Sequence, residues 1–249
     1  GQERTLPMSA TDSASFAPTA GWRSRIGAYV GLTKPRIIEL LLVTTVPAMV
    51  LADKGLPSPW LVLTVLFGGT LAAGGANTIN CVCDRDIDEK MKRTHGRPLP
   101  LGLVTPEQAL RFGIALEVIA FVWLWATTNL LAATLAISAT AFYVFIYTMW
   151  LKRSTAQNIV IGGAAGAVPV LVGWAAVTGR VGLPAWVMFT IIFMWTPPHF
   201  WALAMKYKDD YAAAGVPMLP VTAGPKAAAR QFLAYSVVLV GVTLTLCPA

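Results

Sequence analysis

Long apolar segments alternate with short polar connections along this chain. Seven of these segments are each close to the roughly 20 residues that an α-helix needs to cross a bilayer. The chain is 56% hydrophobic and 12% charged, whereas soluble domains carry about 25% charged residues. The pattern therefore predicts an all-α polytopic membrane protein. Its predicted spans are 37–53, 60–80, 109–127, 129–149, 157–178, 184–204 and 229–247.

The chain before the first span has a different composition. Residues 1–21 are rich in Ser, Ala, Thr and Pro, which predicts disorder. A basic, partly amphipathic segment follows and ends in Lys34-Pro35-Arg36. We therefore expect a disordered and basic cytoplasmic lead-in over residues 1–33. One transmembrane domain is expected over residues 34–249.

The basic residues are distributed unevenly across the membrane. The net charge is +7, but these residues lie in short connections between apolar segments, so nucleic acid is not an expected partner. Of the 19 Lys and Arg residues, two, Lys54 and Arg180, fall on the side opposite to the N-terminus. The positive-inside rule therefore places the N-terminus in the cytoplasm. We expect the bacterial plasma membrane. The mitochondrial inner membrane is the weaker alternative, because a presequence would be richer in Arg and poorer in acids.

A run of charged residues follows the second apolar segment directly. Asn80, Asp84 and Asp88 are spaced four residues apart, so a helix that continues into this run carries them on one face. One amide and two carboxylates form the oxygen-rich kind of site that Mg²⁺ takes together with substrate phosphates. Lys92, Arg93 and Arg97 are placed to hold phosphate oxygens. The alternative interpretation is a solvated charged loop between two spans.

A second polar cluster follows the sixth apolar segment, on the same side of the membrane. Its acids, Asp209 and Asp210, predict a second metal position facing the first cluster, so that two Mg²⁺ ions would hold a diphosphate. Lys206 and Tyr211 flank these acids. A third basic element, Lys152-Arg153, ends the fourth segment on this side. Anchoring at the membrane surface is an equal alternative for that element.

Three ionisable side chains fall inside apolar segments. Glu39 lies near the cytoplasmic end of the first segment, where snorkelling or pairing with Arg36 would satisfy it. His199 lies late in the sixth segment and Glu117 lies deep in the third. An ionisable group within a span is a functional candidate by default, although a lone histidine is as often a structural residue. Glu117 must face the interior of the bundle or be protonated, and its role is open.

These motifs resemble the UbiA superfamily of intramembrane prenyltransferases. The pattern Asn80-x₃-Asp84-x₃-Asp88 matches the superfamily motif on the second helix. The similarity is greatest to the branch that farnesylates heme, and it extends over about residues 30–245. Further matching blocks are Lys34-Pro35-Arg36, Arg93-Thr94, Arg97-Pro98-Leu99, Tyr147-Thr148, Leu151-Lys152-Arg153, Asn158–Gly163, Gly173-Trp174, Pro198–Ala204, Asp210-Tyr211 and Pro217–Pro220.

The resemblance implies an activity and a set of site residues. The implied reaction transfers a farnesyl group from farnesyl diphosphate to a vinyl group of heme b, with addition of water, and gives heme O. Mg²⁺ is the implied cofactor, and heme A synthase or the assembly machinery of a terminal oxidase is an implied partner. His199 is the implied heme contact. The implied catalytic residues are Asn80, Asp84, Asp88 and Asp210, the metal ligands are these four and Asp209, and the substrate-binding residues are Lys34, Arg93, Arg97, Lys152, Arg153, Lys206 and Tyr211.

The sequence departs from the superfamily pattern in two places. Other members carry a second Asp-x₃-Asp motif where this chain has adjacent Asp209-Asp210, so the second metal site is less well defined. The superfamily has nine transmembrane helices, of which about seven are present here. We therefore expect a domain that is truncated at its C-terminus.

Three other functions fit part of the sequence. A UbiA-type aromatic prenyltransferase of quinone or chlorophyll biosynthesis would carry the first motif but not the block Pro197–Trp201. A heme-handling assembly factor would not need Asn80, Asp84 and Asp88. A small transporter would place its acids near the membrane midplane, whereas these acids gather at one face. Farnesyl transfer to heme is therefore the expected function.

Overall fold

The computed structural model describes residues 22–246, which form helices joined by short connections. The predicted disorder of residues 1–21 concerns residues outside the described range. The helices are α1 (Trp22–Thr33), α2 (Pro35–Asp53), α3 (Pro59–Cys83), α4 (Arg85–Lys90), α5 (Pro106–Thr127), α6 (Leu130–Ala141), a π-helical segment (Phe142–Leu151), α7 (Lys152–Ser154), α8 (Asn158–Thr178), α9 (Leu183–Lys206), α10 (Lys208–Ala213), α11 (Leu219–Thr222) and α12 (Gly224–Leu244).

Seven helical stretches are long and apolar enough to cross a membrane, with α6, the π-helical segment and α7 counted as one continuous stretch. The prediction of an all-α polytopic membrane protein is therefore confirmed. Proline marks several starts, since Pro35, Pro59 and Pro106 begin spans at a position where the missing N–H costs no hydrogen bond. The last span differs most from its predicted bounds, because α12 begins at Gly224.

Helix α8 lies at the centre of the bundle, where it contacts α2, α6 and α9. Small residues allow these close approaches. A Cβ atom on Gly173 of α8 would lie 2.8 Å from the backbone oxygen of Thr45 in α2. Helices α3 and α5 meet in the same way, since a Cβ atom on Gly75 would lie 2.9 Å from the backbone oxygen of Gly113. Backbone contact of this kind is a main source of packing energy between membrane helices.

The basic lead-in is helical over the part that the structure describes. Helix α1 packs against α3, and its residues Ala28 and Leu32 are buried in a cluster with Cys81 and Ala109. Residues 22–33 of the basic lead-in are therefore helical and pack on the bundle. The boundary of the transmembrane domain at residue 34 stays a prediction.

The junction between α3 and α4 sets the position of the first polar cluster. Helix α3 ends at Cys83, and Asp84 adopts a conformation between helix and turn, with φ −95° and ψ 7°. The hydrogen-bond ladder nevertheless continues, because the backbone N–H of Asp88 donates to the backbone oxygen of Asp84 at 2.8 Å. The helical spacing predicted for Asn80, Asp84 and Asp88 is therefore kept across a local irregularity.

Candidate active site

Asn80 and Asp84 form the centre of the candidate site and share one helix face, as the four-residue spacing predicts. The Nδ2 atom of Asn80 donates to Oδ2 of Asp84 at 2.8 Å. Both side chains are buried, with 2% of Asn80 and 1% of Asp84 exposed. Polar groups this deeply buried need partners, and three other elements supply them.

Two lysines from distant helices reach this pair. The Nζ atom of Lys34, at the start of α2, donates to Oδ1 of Asn80 at 2.6 Å. Lys34 has a positive φ of 54°, so its backbone conformation is one that non-glycine residues rarely adopt. The Nζ atom of Lys152 pairs with Oδ2 of Asp84. Desolvation lowers the pKa of the Lys34 ammonium below the usual value for lysine.

The π-helical segment contributes a neutral partner. The Oγ1 atom of Thr148 accepts a hydrogen bond from Nδ2 of Asn80 at 3.0 Å. The same hydroxyl donates to the backbone oxygen of Tyr143 at 2.8 Å, a spacing that follows the wider π-helical turn. π-Helical turns are frequent at functional sites. Here the segment brings Thr148 and Lys152 to the same pair of side chains.

Asp88 is held separately, by the loop that follows α4. Both oxygens of Asp88 accept from Nη1 of Arg97, at 2.7 and 2.8 Å. The Oγ1 atom of Thr94 donates to the backbone oxygen of Asp88 at 3.0 Å. Burial alone would lower the pKa of Arg97, but the Asp88 carboxylate outweighs this effect, and the net pKa is raised. Arg97, which the sequence predicts to hold phosphate, is therefore bound to Asp88, the third residue of the motif.

Asp86 lies on the outside of α4. It is exposed, and both of its oxygens accept from the guanidinium of Arg153, at 2.7 and 2.8 Å. This hydrogen bonding lowers the pKa of the Asp86 carboxyl to about 2. The Nη2 atom of Arg153 is also 3.9 Å from Oδ1 of Asp84. Arg153 therefore connects the exposed acid to the buried one.

The second polar cluster lies against the loop of the first. The Oδ2 atom of Asp210 accepts from the backbone N–H of Arg93 at 3.1 Å. The guanidinium of Arg93 and the Nζ atom of Lys206 lie 5.3 and 5.5 Å from the centre of the Tyr207 ring. Tyr211 packs on the apolar cluster that contains Ile87 of α4. Asp209 is exposed.

The side-chain oxygens of the polar centre fit Mg²⁺ when substrate phosphates supply further ligands. Among residues 22–246, no group of three or more His, Cys, Asp or Glu side chains is close enough to hold a metal by itself. Oδ1 of Asp84 is buried and has no hydrogen-bond partner among the described residues, and an ionised carboxylate oxygen of this kind suits a hard cation. The oxygen of Asn80, by contrast, is covered by Lys34. The residues therefore fit an ion that takes its other ligands from substrate phosphates, and binding through Asn80 requires Lys34 to move.

An apolar cavity of about 280 Å³ opens next to this polar centre. Asn77, one turn before Asn80, lines it together with Tyr143 and Tyr147, whose rings stack at 5.5 Å. Helices α2, α3, α6, α8 and α9 supply the rest of the wall, with residues such as Leu41, Ala72, Thr140, Gly163 and Trp195. The sequence did not reveal this cavity, because its lining comes from several separate helices.

His199 and Glu117, which both lie inside spans, occupy different surroundings. The imidazole of His199 stacks on the Trp195 ring with centroids 4.4 Å apart, and Trp195 lines the cavity. Glu117 is buried, and its Oε1 atom accepts from Oγ1 of Thr140 at 3.0 Å. Glu117 therefore faces the bundle interior, which is one of the two possibilities left open by the sequence.

Sequence reasoning missed two polar residues of this region, Thr148 and Thr140. A signal for Thr148 was available, because it lies four residues before Lys152 and therefore near the same helix face. Thr140 gave no such signal, since its partner Glu117 is on another helix.

The comparisons with known proteins agree with this geometry. A model of the UbiA prenyltransferase family matches residues 41–249. Protoheme IX farnesyltransferase 2 of Saccharopolyspora erythraea is 59% identical over 247 residues, which cover 99% of this chain and 76% of that protein. Protoheme IX farnesyltransferase of Mycolicibacterium vanbaalenii is 60% identical over 228 residues, covering 92% and 73%.

A solved structure extends the comparison to the fold. The UbiA homolog from Archaeoglobus fulgidus bound to DMAPP and Mg²⁺ superposes with a TM-score of 0.71 at 18% identity, over 86% of this chain and 76% of that one. At this identity the likeness shows the fold alone. Together with the family match over most of the chain, it leads to one conclusion. This chain is a multi-pass membrane protein of the UbiA prenyltransferase family.

Proposed function

We propose that this protein transfers a farnesyl group from farnesyl diphosphate to a vinyl group of protoheme IX, with addition of water, to give heme O. The observation that carries the proposal is the identity of about 60% with proteins named protoheme IX farnesyltransferase, over nearly the whole chain. The buried polar centre beside an apolar cavity suits a substrate that has a charged head and a long apolar tail.

The proposed Mg²⁺ ligands are the two acidic clusters. Asp84, whose buried Oδ1 atom has no hydrogen-bond partner among residues 22–246, is the first candidate, together with Asn80 and Asp88. Asp210, with Asp209 beside it, would serve a second ion, and its hydrogen bond to the Arg93 backbone supports a position near the first cluster. Bound Mg²⁺ would supply positive charge that stabilises the departing diphosphate.

Basic side chains around this centre are proposed to bind the diphosphate. Lys34 and Lys152 already lie against Asn80 and Asp84, so small movements would bring their ammonium groups to phosphate oxygens. Arg153, Arg97 and Arg93 add guanidinium groups, which bind phosphate in a bidentate way. Lys206 and Tyr211 are the proposed contacts from the second cluster. Positive charge fixed in place before the reaction stabilises charge that develops on the leaving group.

The cavity is proposed to hold the farnesyl chain and to exclude water from the allylic cation. The bond between C1 of farnesyl and the diphosphate oxygen breaks, and the diphosphate takes the electron pair. The π electrons of the heme vinyl group form the new bond to C1. A cation then remains on the vinyl carbon next to the porphyrin ring, where water adds and one proton is lost.

His199 is the proposed heme contact. It stacks on Trp195, a residue of the cavity wall, and this supports a position within reach of a ligand in the cavity. The chain has two histidines, so the exposed His95 provides a matched control. We expect His199→Ala to weaken heme binding in difference absorption spectra and His95→Ala to leave it unchanged. Equal heme binding by both variants would remove His199 from the site.

The reaction itself is tested with purified protein, heme b, farnesyl diphosphate and Mg²⁺, followed by liquid chromatography and mass spectrometry. The expected product is a heme heavier by one farnesyl group and one water, and it should disappear when EDTA is added. Consumption of the diphosphate with a hydroxybenzoate acceptor, but not with heme, would instead identify an aromatic prenyltransferase. No reaction with either acceptor would favour an assembly factor.

The proposed location is the bacterial plasma membrane with the N-terminus in the cytoplasm, in contact with heme A synthase or the assembly machinery of a terminal oxidase. The support is that Lys54 and Arg180 alone among the 19 Lys and Arg residues fall on the opposite side. In a cysteine-free background, a membrane-impermeant thiol reagent applied to spheroplasts should label Gly55→Cys and spare Ser154→Cys. The reverse pattern would invert the topology. Copurification of heme A synthase with the tagged protein tests the partner.

A further inference from the structure

The interior of the bundle contains one carboxyl group that the proposed reaction has not used. Glu117 is 6% exposed, and its Oε1 atom accepts a hydrogen bond from Oγ1 of Thr140 at 3.0 Å. The two residues belong to different helices, α5 and α6. The hydroxyl of Thr140 is a donor from which the ionised form of this carboxyl group can accept, and ionisable groups inside membrane bundles are functional candidates because they are costly to bury.

Thr140 stands between Glu117 and the substrate cavity. Thr140 lines the cavity together with Ala76 and Asn77 of α3. Glu117 does not line this cavity, and it lies with Thr140 along a second groove formed by α3, α5 and α6. The packing leaves a space for the carboxyl group, because a Cβ atom on Gly75 would lie 2.7 Å from Oε1 of Glu117. The hydroxyl of Thr140 is therefore the polar group that connects the cavity with the carboxylate.

The level of Glu117 along α3 is close to that of the polar centre. Glu117 contacts α3 at Gly75, and Asn80 of the polar centre is on the same helix. With a rise of about 1.5 Å per residue, the two levels are about 7 Å apart along α3. A farnesyl chain whose diphosphate lies at Asn80 would therefore have its first carbon atoms near the level of Thr140.

We propose that Thr140 and Glu117 remove the proton that is lost when water adds to the heme vinyl cation. This inference rests on the proposed function. The water oxygen forms its bond to the cationic carbon and gives one proton to Oγ1 of Thr140. Thr140 passes its own hydroxyl proton to Oε1 of Glu117, which ends as a neutral carboxylic acid. A hydroxyl group suits this role because it can accept from water while it donates to the carboxylate.

Two other arrangements would explain the same hydrogen bond or the same proton transfer. Glu117 and Thr140 could serve only to hold α5 against α6. The departing diphosphate could also take the proton, because it carries several basic oxygens. Both alternatives predict that the ratio of hydrated to unhydrated product does not depend on Glu117 or Thr140.

The test measures this product ratio in the complete reaction, with the purified chain, heme b, farnesyl diphosphate and Mg²⁺. Glu117→Gln keeps the shape of the side chain but cannot take up the proton, and Thr140→Val replaces the hydroxyl by a methyl group. We expect each variant to lower kcat about a hundredfold, the size typical for loss of a general base. KM should stay near the wild-type value for both substrates. The share of farnesylated heme that is lighter by one water should rise.

Two further variants separate proton transfer from packing. Thr140→Ser restores the hydroxyl and should recover most of the hydrated product. Thr134→Val on the same helix removes a hydroxyl that donates to the backbone oxygen of Leu131, and it should behave as wild type. Wild-type kcat with hydrated product alone in Glu117→Gln and Thr140→Val would overturn the inference. So would a loss of activity with an unchanged product ratio. A wild-type protein that forms no farnesylated heme would overturn the proposed function, and this inference with it.

Discussion

The side-chain amide of Asn80 donates to the carboxylate of Asp84 across one helical turn, at 2.8 Å. This bond fixes the direction of both groups, because Asn80 also accepts from Lys34 and Asp84 also pairs with Lys152. The oxygen of Asn80 and Oδ1 of Asp84 then differ in their surroundings. The oxygen of Asn80 is covered by a lysine, whereas the buried Oδ1 atom of Asp84 accepts no hydrogen bond from the part of the chain that the structure describes. This difference underlies the expected effects of substitutions at Asp84 and Thr148.

Replacement of Asp84 by Asn should abolish most of the activity. Asp84→Asn keeps the shape of the side chain but removes the charge and places an NH₂ group at one of the two oxygen positions. We expect kcat to fall about a hundredfold or more, as it does when one fixed electrostatic contact to a leaving group is lost. Asp86→Asn is the matched control, since Asp86 is 52% exposed on its side chain and surface ion pairs contribute about 1 kcal/mol at most. Equal losses in both variants would contradict the assignment of Asp84.

Replacement of Thr148 by Val should raise the Mg²⁺ concentration that the reaction requires. Thr148 accepts from Asn80 at 3.0 Å, so its loss frees the amide to rotate. Loss of a group that orients a metal ligand typically costs about 10- to 100-fold in metal affinity. The measurement is the Mg²⁺ concentration that gives half-maximal rate, which should rise in Thr148→Val and stay near wild type in Thr148→Ser. An unchanged value in the Val variant would mean that Thr148 does not orient Asn80.

Removal of Arg97 should destabilise the fold. Asp88 is 4% exposed and is bound by both oxygens to Arg97, which is 25% exposed. An unpaired carboxylate left in this position costs about 3 to 5 kcal/mol when burial is complete, and the partial exposure of Arg97 places the expected value at the lower end. The free energy of unfolding of Arg97→Met should fall accordingly in detergent. Asp88→Asn in the same chain should recover part of this loss. No recovery in the double variant would show that the two side chains do not interact.

Substitution of Gly162 by Ala should be more harmful than the same change at Gly166, one turn later in α8. A Cβ atom on Gly162 would overlap the ring of Tyr147, whereas one on Gly166 meets no atom within 4 Å. Overpacking of this kind costs about 1 to 3 kcal/mol, while alanine in an open helix position gains up to about 1 kcal/mol. The melting temperature should therefore fall for Gly162→Ala and rise slightly or stay constant for Gly166→Ala. The opposite order would contradict the packing of Tyr147 on α8.

The arrangement along each helix could be predicted from the sequence because it depends on periodicity and hydropathy. The seven spans follow from segment length and low charge. Three of them begin at Pro35, Pro59 and Pro106, one to three residues before their predicted bounds. The contact between Asn80 and Asp84 follows from the helical period, since residues four apart face the same way. The family also followed from motifs that lie within short stretches of chain.

The contacts between helices were decided by the tertiary structure alone. Lys34, Thr148 and Lys152 reach the Asn80–Asp84 pair only because three helices converge there, and no local pattern encodes that convergence. The cavity and the pairing of Glu117 with Thr140 have the same origin. Spacing along the chain fixes which way a side chain points on its own helix. The residues that this side chain contacts are set by how the helices pack. This packing depends on many small contacts summed over the whole bundle.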